Sequence, residues 1–350
     1  MRAFRVLNLL ALILCFIVVV VGAYVRLSHA GLGCPDWPGC YGQLLVPEQA
    51  APGFERPLEA HKAWKEMFHR YIASTLGLLI VALALISKYS SAENLPRKLP
   101  WLLVALVIFQ GILGMWTVTW QLKPLAVTAH LLGGMTTLAL LLWMWLALPK
   151  TSETSESEPV PEKQFRSERQ VWFELQKEDA PATPAKRPWG LRVLSGLALI
   201  ALVTQIFLGG WTSSNYAALA CPDLPTCHGA WLPDTDVKEA FTLWRGLGTN
   251  YEFGVLDSRA RVTIHLAHRL GAMAVTLVLL ALSLLLWRSG ARVIGATMAG
   301  VLGVQLTLGL SIVLLQLPLP LAAAHNAGAA LLLLTLVAVN HRLWKSQTSS

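Results

Sequence analysis

Four histidines occur in two pairs whose positions could hold iron. His69, His130, His268 and His325 each lie near the start of a long apolar segment. Two neighbouring helices that each offer one imidazole at the same depth can clamp one iron atom, and histidine is the common axial ligand of haem. The pattern predicts two haem sites with two histidine ligands each. Taken singly, each histidine is also compatible with a packing or proton-transfer role inside a membrane.

The histidine pairs repeat together with polar landmarks at matched spacings. The first half contains CPDWPGC, then EMFHR, Gln110 and His130, and the second half contains CPDLPTC, then HLAHR, Gln305 and His325. The glutamine and the later histidine are 20 residues apart in both halves. General hydrophobicity does not reproduce polar residues at equal spacing, so the sequence predicts an internal duplication.

The elements that must position these residues are membrane-spanning helices. Of the 350 residues, 55% are hydrophobic and only 14% are charged, which is too apolar for an ordinary soluble domain. Apolar runs of about 18 residues or more predict helices that cross a bilayer. Eight such runs occur, at residues 6–26, 67–87, 101–120, 125–148, 191–212, 262–287, 293–316 and 321–340.

The sequence therefore predicts an all-α integral membrane protein whose eight transmembrane helices form two duplicated four-helix bundles. An even number of helices in each half gives both copies the same orientation. Residues 1–148 form the first predicted half and residues 191–350 the second. Residues 149–190 are polar and rich in Pro, Ser and Glu, which predicts a cytoplasmic linker because such a segment cannot bury a core.

The basic residues predict the orientation in the membrane. Arg2 and Arg5 precede the first helix, and Arg342 and Lys345 follow the last. Short cytoplasmic segments are enriched in Lys and Arg, so both termini are predicted to be cytoplasmic and both cysteine loops to lie on the outer face. The net charge of +8 is explained by this topology. It does not form a stripe typical of a nucleic-acid-binding protein.

Several segments together carry a resemblance to a known family. They are EMFHR and HLAHR, TAHLLGG and AAHNAGA, GGWTSSNYAALACPDLPTC, and the doubled cysteine loop. With them the chain resembles the heme A synthases over all eight predicted helices. The resemblance implies an enzyme of the bacterial cytoplasmic membrane that oxidises a methyl group of heme O to a formyl group, giving heme A for terminal oxidase assembly. It also implies a bound haem b for electron transfer, with a heme O synthase and an electron acceptor as partners.

The same resemblance assigns the histidines. It implies that His69 and His130 hold the substrate haem in the N-terminal half, and that His268 and His325 hold haem b in the C-terminal half. Glu66 matches the acidic residue that the family carries beside the first histidine.

Glu66 also distinguishes the two halves in chemical terms. It lies three residues before His69 and so shares its helix face, whereas the second half has His265 at this place. A carboxylate there could accept protons during methyl oxidation or stabilise a cationic intermediate, so Glu66 is predicted to be catalytic. The alternative is an ion pair of Glu66 at the membrane surface with a neighbouring base: Lys62, Lys65 or Arg70.

Arg70 and Arg269 directly follow the first histidine of each pair. A guanidinium at the outer end of a helix could bind a haem propionate as a bidentate partner. It could equally extend toward the lipid headgroups.

The cysteines are predicted to form two local disulfides, Cys34–Cys40 and Cys221–Cys227, because an outer compartment allows disulfides to persist. Such small rings add little chain entropy to stability. Three roles remain open at this point: shaping an outer lid over each haem, passing electrons, or holding a metal between the four cysteines.

Two further classes of function fit two bis-histidine haem sites. One is an electron carrier that has no substrate haem, and the other is a haem-handling chaperone that does no chemistry. An electron carrier that spans the membrane usually places its haems at different depths. The four histidines are predicted to lie near one face, which argues against transfer across the whole membrane.

Overall fold

The structure, a computed structural model, describes residues 1–50, 52–90, 92, 95–149 and 189–345. The predicted linker at 149–190 lies almost wholly outside the described residues. In the described part of the chain, all secondary-structure elements are helices, and isolated β-bridges occur only in the two cysteine loops.

Eight of the described helices are long and apolar enough to cross a membrane, which confirms the predicted all-α fold with eight membrane-spanning helices. A ninth helix is a single short turn. The helices are α1 (Arg2–Leu27), α2 (Ala60–Tyr89), α3 (Leu99–Thr119), α4 (Pro124–Ala147), α5 (Trp189–Ser214), α6 (Val237–Ala240), α7 (Ser258–Arg288), α8 (Arg292–Leu314) and α9 (Leu319–Lys345).

Helices α2 and α7 begin earlier than the apolar runs suggested. The predicted starts were residues 67 and 262, whereas the helices begin at Ala60 and Ser258. Asp257 caps α7 by accepting a hydrogen bond from the Ala260 backbone N–H at 2.7 Å. Hydropathy marks where a helix enters an apolar environment, so it misses the polar turns that precede entry. His69 and His268, near the start of their apolar runs, therefore lie in the third turn of their helices.

Each half of the chain packs as a closed group of four helices. Helix α1 contacts α2 and α4, and α3 contacts the same two helices. In the second half, α5 contacts α7 and α9, and α8 contacts the same two. Helices α4 and α9 pack against each other at the centre, flanked by the α1–α9 and α4–α5 contacts. Each helix of the first half thus has the same neighbours within its half as the equivalent helix of the second half. The duplication and the domain boundaries themselves remain predictions.

Loops at the end of the protein that carries the disulfides tie the halves together. Arg56, in the segment between α1 and α2, forms an ion pair at 2.7 Å with Glu252, which precedes α7. The neighbouring Tyr251 backbone N–H donates to the Gln121 carbonyl oxygen at 3.0 Å. The segment before α7 therefore lies over the α3–α4 turn of the other half.

Arg26, near the end of α1, adds a partly buried tie between the halves. Its guanidinium donates to the carbonyl oxygen of Ser213 at 2.9 Å and lies over the ring of Tyr216 at 4.4 Å. Cation–π contacts of this kind strengthen when they are shielded from water. The end of α1 is thus fixed to the end of α5.

Candidate functional site

The N-terminal half encloses a cavity of about 540 Å³ that both of its candidate ligands, His69 and His130, line. This volume is in the usual range for sites that bind organic ligands. Its wall contains many glycines, which lets a flat ligand approach the backbone. They are Gly22, Gly31, Gly77, Gly111, Gly114, Gly134 and Gly210.

The cavity opens sideways between α2 and α3. Leu78 on α2 and Ile108 on α3 both line it, although 71% and 61% of their surfaces are exposed on the outside of the helix bundle. These side chains lie midway along two membrane-spanning helices. An apolar ligand can therefore reach the cavity from the lipid side.

Each of the four histidines lies against a glycine of a neighbouring helix. A Cβ atom built on Gly22 of α1 would lie only 2.8 Å from Cε1 of His69 on α2. The same construction on Gly114, Gly209 and Gly309 gives 3.4, 3.2 and 3.1 Å to Cε1 of the other three histidines, in the order His130, His268 and His325. The missing side chains let the imidazoles fit between closely packed helices.

The buried ring nitrogens leave capacity for a ligand. The Nδ1 atoms of His69, His130 and His325 are buried and have no hydrogen-bond partner among the described residues. Buried polar atoms without partners are rare and costly in finished structures. Two imidazoles on adjacent helices beside a glycine-rich cavity fit haem, which needs two axial donors.

Glu66 is buried in the cavity wall, with 5% of its surface exposed. One carboxylate oxygen accepts a hydrogen bond from Arg70 at 2.6 Å, and the other accepts from the Cys34 backbone N–H at 2.9 Å. The ion pair considered as an alternative is therefore present, but it is buried beside the cavity. At the equivalent place, His265 is also buried, and its Nδ1 lies 3.0 Å from the Ala217 carbonyl oxygen.

The two arginines that follow the histidines bind the cysteine loops. Arg70 donates to the carbonyl oxygens of Pro38, at 3.2 Å, and Gly39. Arg269 donates to three loop carbonyl oxygens at 2.9 Å, those of Cys221, Asp223 and Thr226. Neither guanidinium extends away from the protein. Their predicted contact with haem propionates remains a prediction, but these bonds give both arginines a structural role.

Both predicted local disulfides are confirmed, with S–S distances of 2.05 Å for Cys34–Cys40 and 2.01 Å for Cys221–Cys227. All four cysteines are buried. Because they are paired, the metal site shared by four cysteines is not formed. Trp37, inside the first loop, lines the cavity, which favours the lid-shaping role.

An aspartate closes the turn of each cysteine loop. Asp36 accepts hydrogen bonds from two backbone N–H groups at 2.7 and 2.8 Å, and Asp223 accepts two at 2.6 and 2.9 Å. The Thr226 hydroxyl also donates to Asp223. Together, this hydroxyl and the backbone donors hold the pKa of Asp223 well below its usual range. The carboxylate is therefore charged at neutral pH and keeps these bonds.

Some residues at the histidine sites escaped the sequence analysis. Gln205 lies 3.0 Å from Nδ1 of His268 through its Nε2, yet only Gln110 and Gln305 stood out as repeated landmarks. The first half has Val18 where the second has Gln205, so a comparison of the halves could not find it. The glycines were detectable, since Gly22 and Gly209 have the same separation as Cys34 and Cys221.

Comparisons with known proteins agree with the resemblance found in the motifs. Residues 5–337 match the family model COX15-CtaA, described as cytochrome oxidase assembly protein. The chain is 42% identical to a heme A synthase of Shewanella oneidensis, over 97% of both chains. It is 24% identical to a heme A synthase of Rhizorhabdus wittichii, over 97% of this chain and 94% of the relative. A heme A synthase of Allorhizobium ampelinum is 27% identical, over 95% of this chain and 88% of the relative.

The contact between Gly22 and His69 can be tested with a single methyl group. Gly22→Ala is expected to displace the imidazole and weaken haem binding in the N-terminal cavity about 10- to 100-fold, the scale seen when a ligand's support is lost. Optical titration of the purified protein with haem measures this affinity. Gly196→Ala on α5 is the control, because its added Cβ meets no atom within 4 Å and Gly196 is not in the cavity wall. Equal effects of the two substitutions would show that the contact has no special importance.

Proposed function

Because the chain belongs to the COX15-CtaA family of cytochrome oxidase assembly proteins, we propose that it is a heme A synthase. It is an oxidoreductase that converts a methyl group of heme O to the formyl group of heme A. The observation that carries this function is the 42% identity to a heme A synthase over almost the whole of both chains. The product serves the assembly of terminal oxidases.

The substrate haem binds in the N-terminal cavity, with His69 and His130 as its iron ligands. The support for this assignment is that both imidazoles line one cavity of about 540 Å³, together with the buried carboxylate of Glu66. The opening between α2 and α3 suits an apolar substrate that is dissolved in the bilayer.

His268 and His325 hold haem b in the C-terminal half. When bound, this haem supplies one-electron chemistry. Asn326, the residue after His325 on α9, lines the N-terminal cavity. The residues that would hold haem b and those that line the substrate cavity therefore share α9.

Glu66 acts on protons at the substrate's edge. Converting a methyl to a formyl group removes C–H bonds, so protons must leave the site as the oxidation proceeds. A buried carboxylate in the cavity wall can accept such a proton or stabilise positive charge that develops on the ring. The Arg70 guanidinium and the Cys34 backbone N–H fix the positions of its two oxygens.

Arg70 and Arg269 position the cysteine loops as lids over the two sites, and a haem propionate is a further partner for their remaining donors. Asp36 and Asp223 tie each loop internally. In this arrangement the disulfides shape the lids and take no part in electron transfer.

The enzyme is an integral protein of a bacterial cytoplasmic membrane. Both termini are cytoplasmic and the cysteine loops lie on the outer face, as the distribution of basic residues favours. Its partners are the lipid bilayer, heme O, a heme O synthase that delivers the substrate, and an electron acceptor. Incubating the purified protein with heme O and an oxidant, followed by chromatography of the extracted haems, tests the activity. An electron carrier or a chaperone would return heme O unchanged.

The histidine assignments predict different losses in the two halves. His268→Ala or His325→Ala should remove most of the haem b that purifies with the protein, because each leaves iron with one imidazole. His69→Ala or His130→Ala should retain haem b and abolish turnover. Haem content and low-spin absorption spectra, measured beside heme A yield, separate the two outcomes. Wild-type spectra and activity in all four variants would refute the ligand assignment.

Glu66→Gln tests the proton role with little change of shape. The amide can still accept from the Cys34 N–H, so the loop and haem b binding should remain near normal. Conversion of heme O should fall about 100-fold or more, the scale expected for loss of an acid–base group. A partly oxidised, hydroxylated haem is expected to accumulate.

His265→Gln is the matched control for Glu66→Gln, because it alters the equivalent buried position in the other half. It should leave the yield of heme A far less affected. A normal yield of heme A from Glu66→Gln would show that the Glu66 carboxylate serves only as an ion-pair partner of Arg70.

A further inference from the structure

Three of the four histidines share a feature that the fourth lacks. A glutamine packs over the glycine found three residues after each of them, in the space that a Cβ would occupy. The three sets are Gln110 with His130 and Gly133, Gln205 with His268 and Gly271, and Gln305 with His325 and Gly328. A small residue at the third position is thus required for the glutamine to reach the imidazole region.

His69 is the exception, and its two neighbours explain why. Val18 stands at the place equivalent to Gln205, and Ile72 stands at the place equivalent to Gly271. Valine offers no hydrogen bond, and isoleucine has the side chain whose absence at the equivalent glycines leaves room for a glutamine. Nδ1 of His69 is buried with no hydrogen-bond partner among the described residues, as are those of His130 and His325, whereas Nδ1 of His268 lies within hydrogen-bond distance of Gln205.

The equivalent imidazole in the C-terminal half is held on two sides. Nε2 of Gln205 lies 3.0 Å from Nδ1 of His268 and donates to the His268 carbonyl oxygen, also at 3.0 Å. An amide carries both a donor and an acceptor, so it can meet Nδ1 in either tautomer. When Nδ1–H donates to the amide oxygen, this bond fixes the ring's orientation and strengthens the other nitrogen as a metal ligand.

We propose that Gln205 is a positioning residue that makes His268 a permanent haem ligand, and that Val18 and Ile72 make His69 an exchangeable one. This rests on the proposed function, in which one haem must remain bound while the other is released after each reaction. An imidazole without support at Nδ1 forms a weaker bond to iron and rotates more freely. The site that must release product is therefore the one in which neither histidine has a hydrogen-bond partner at Nδ1 among the described residues.

Gln205→Met tests the first part, because methionine keeps the length of the side chain and removes the hydrogen bond. Haem b should then pass to an added haem-scavenging protein about 10- to 100-fold faster than from the wild type, measured by stopped-flow absorbance without any turnover. Val18→Met is the control: it places the same methionine at the equivalent position of the other half and should leave the release of haem b unchanged. Wild-type release rates from Gln205→Met would overturn the proposal.

Gln205→Glu separates positioning from simple packing. A carboxylate still accepts from Nδ1–H and adds negative charge near the ligand, so it should retain haem b and lower the reduction potential of that haem. A residue that only filled space would keep haem b with either substitution, because both keep the length of the side chain, and would leave the reduction potential of that haem unchanged.

The double variant Val18→Gln, Ile72→Gly tests the second part in the other half. In a His325→Ala background, haem bound by His69 and His130 should dissociate about tenfold more slowly than with the native pair. Unchanged dissociation of haem from this variant overturns the proposal. This test does not depend on Gln205→Met, so it remains decisive if that variant fails to accumulate in the membrane. All these rates are measured without substrate oxidation, so an absence of heme A synthesis by the wild type would refute the proposed function independently.

Discussion

The close approach of a glycine backbone to an imidazole sets the geometry of this protein. Helices in a bilayer gain no hydrophobic energy from contact with each other, so small residues that let backbones come close contribute much of their association. Here the contacts join α1 to α2, α3 to α4, α5 to α7 and α8 to α9, each through one glycine and one histidine. The residue that could bind iron is thus also the residue that fills the gap between two helices. Packing and chemistry constrain each other at all four places.

A few substitutions on this common frame give the two halves different properties. The loops, their disulfides and the aspartates that close them have matching hydrogen bonds in both halves. The differences lie next to the first histidine of each pair. The first half has Glu66 where the second has His265, and it has Val18 where the second has Gln205. The carboxylate adds a proton acceptor to one site, and the amide adds a hydrogen-bond partner for an imidazole to the other. One half can therefore be reactive and the other retentive without any change in the arrangement of the helices.

Much of this organisation could be predicted from the sequence, because it depends on strong and local signals. Long apolar runs predicted the eight helices, and two cysteines separated by a proline-containing turn predicted each disulfide. The starts of the helices were harder to predict, since α2 begins seven residues before its apolar run. The partners of Arg70 and Arg269 could not be predicted, because loop carbonyls leave no trace in a residue pattern. Gln205 was missed for a related reason: its counterpart, Val18, is apolar and lies in an apolar helix.

The tie between Arg56 and Glu252 also constrains the order in which the protein can mature. These partners are 196 residues apart, so the ribosome has made the whole N-terminal half long before Glu252 emerges. The backbone bond from Tyr251 to Gln121 comes equally late. The segment before α7 therefore covers the α3–α4 turn only after the second set of helices has begun to enter the membrane. A nascent or truncated N-terminal half lacks this cover, so the complete N-terminal site forms only on chains that already carry the C-terminal half.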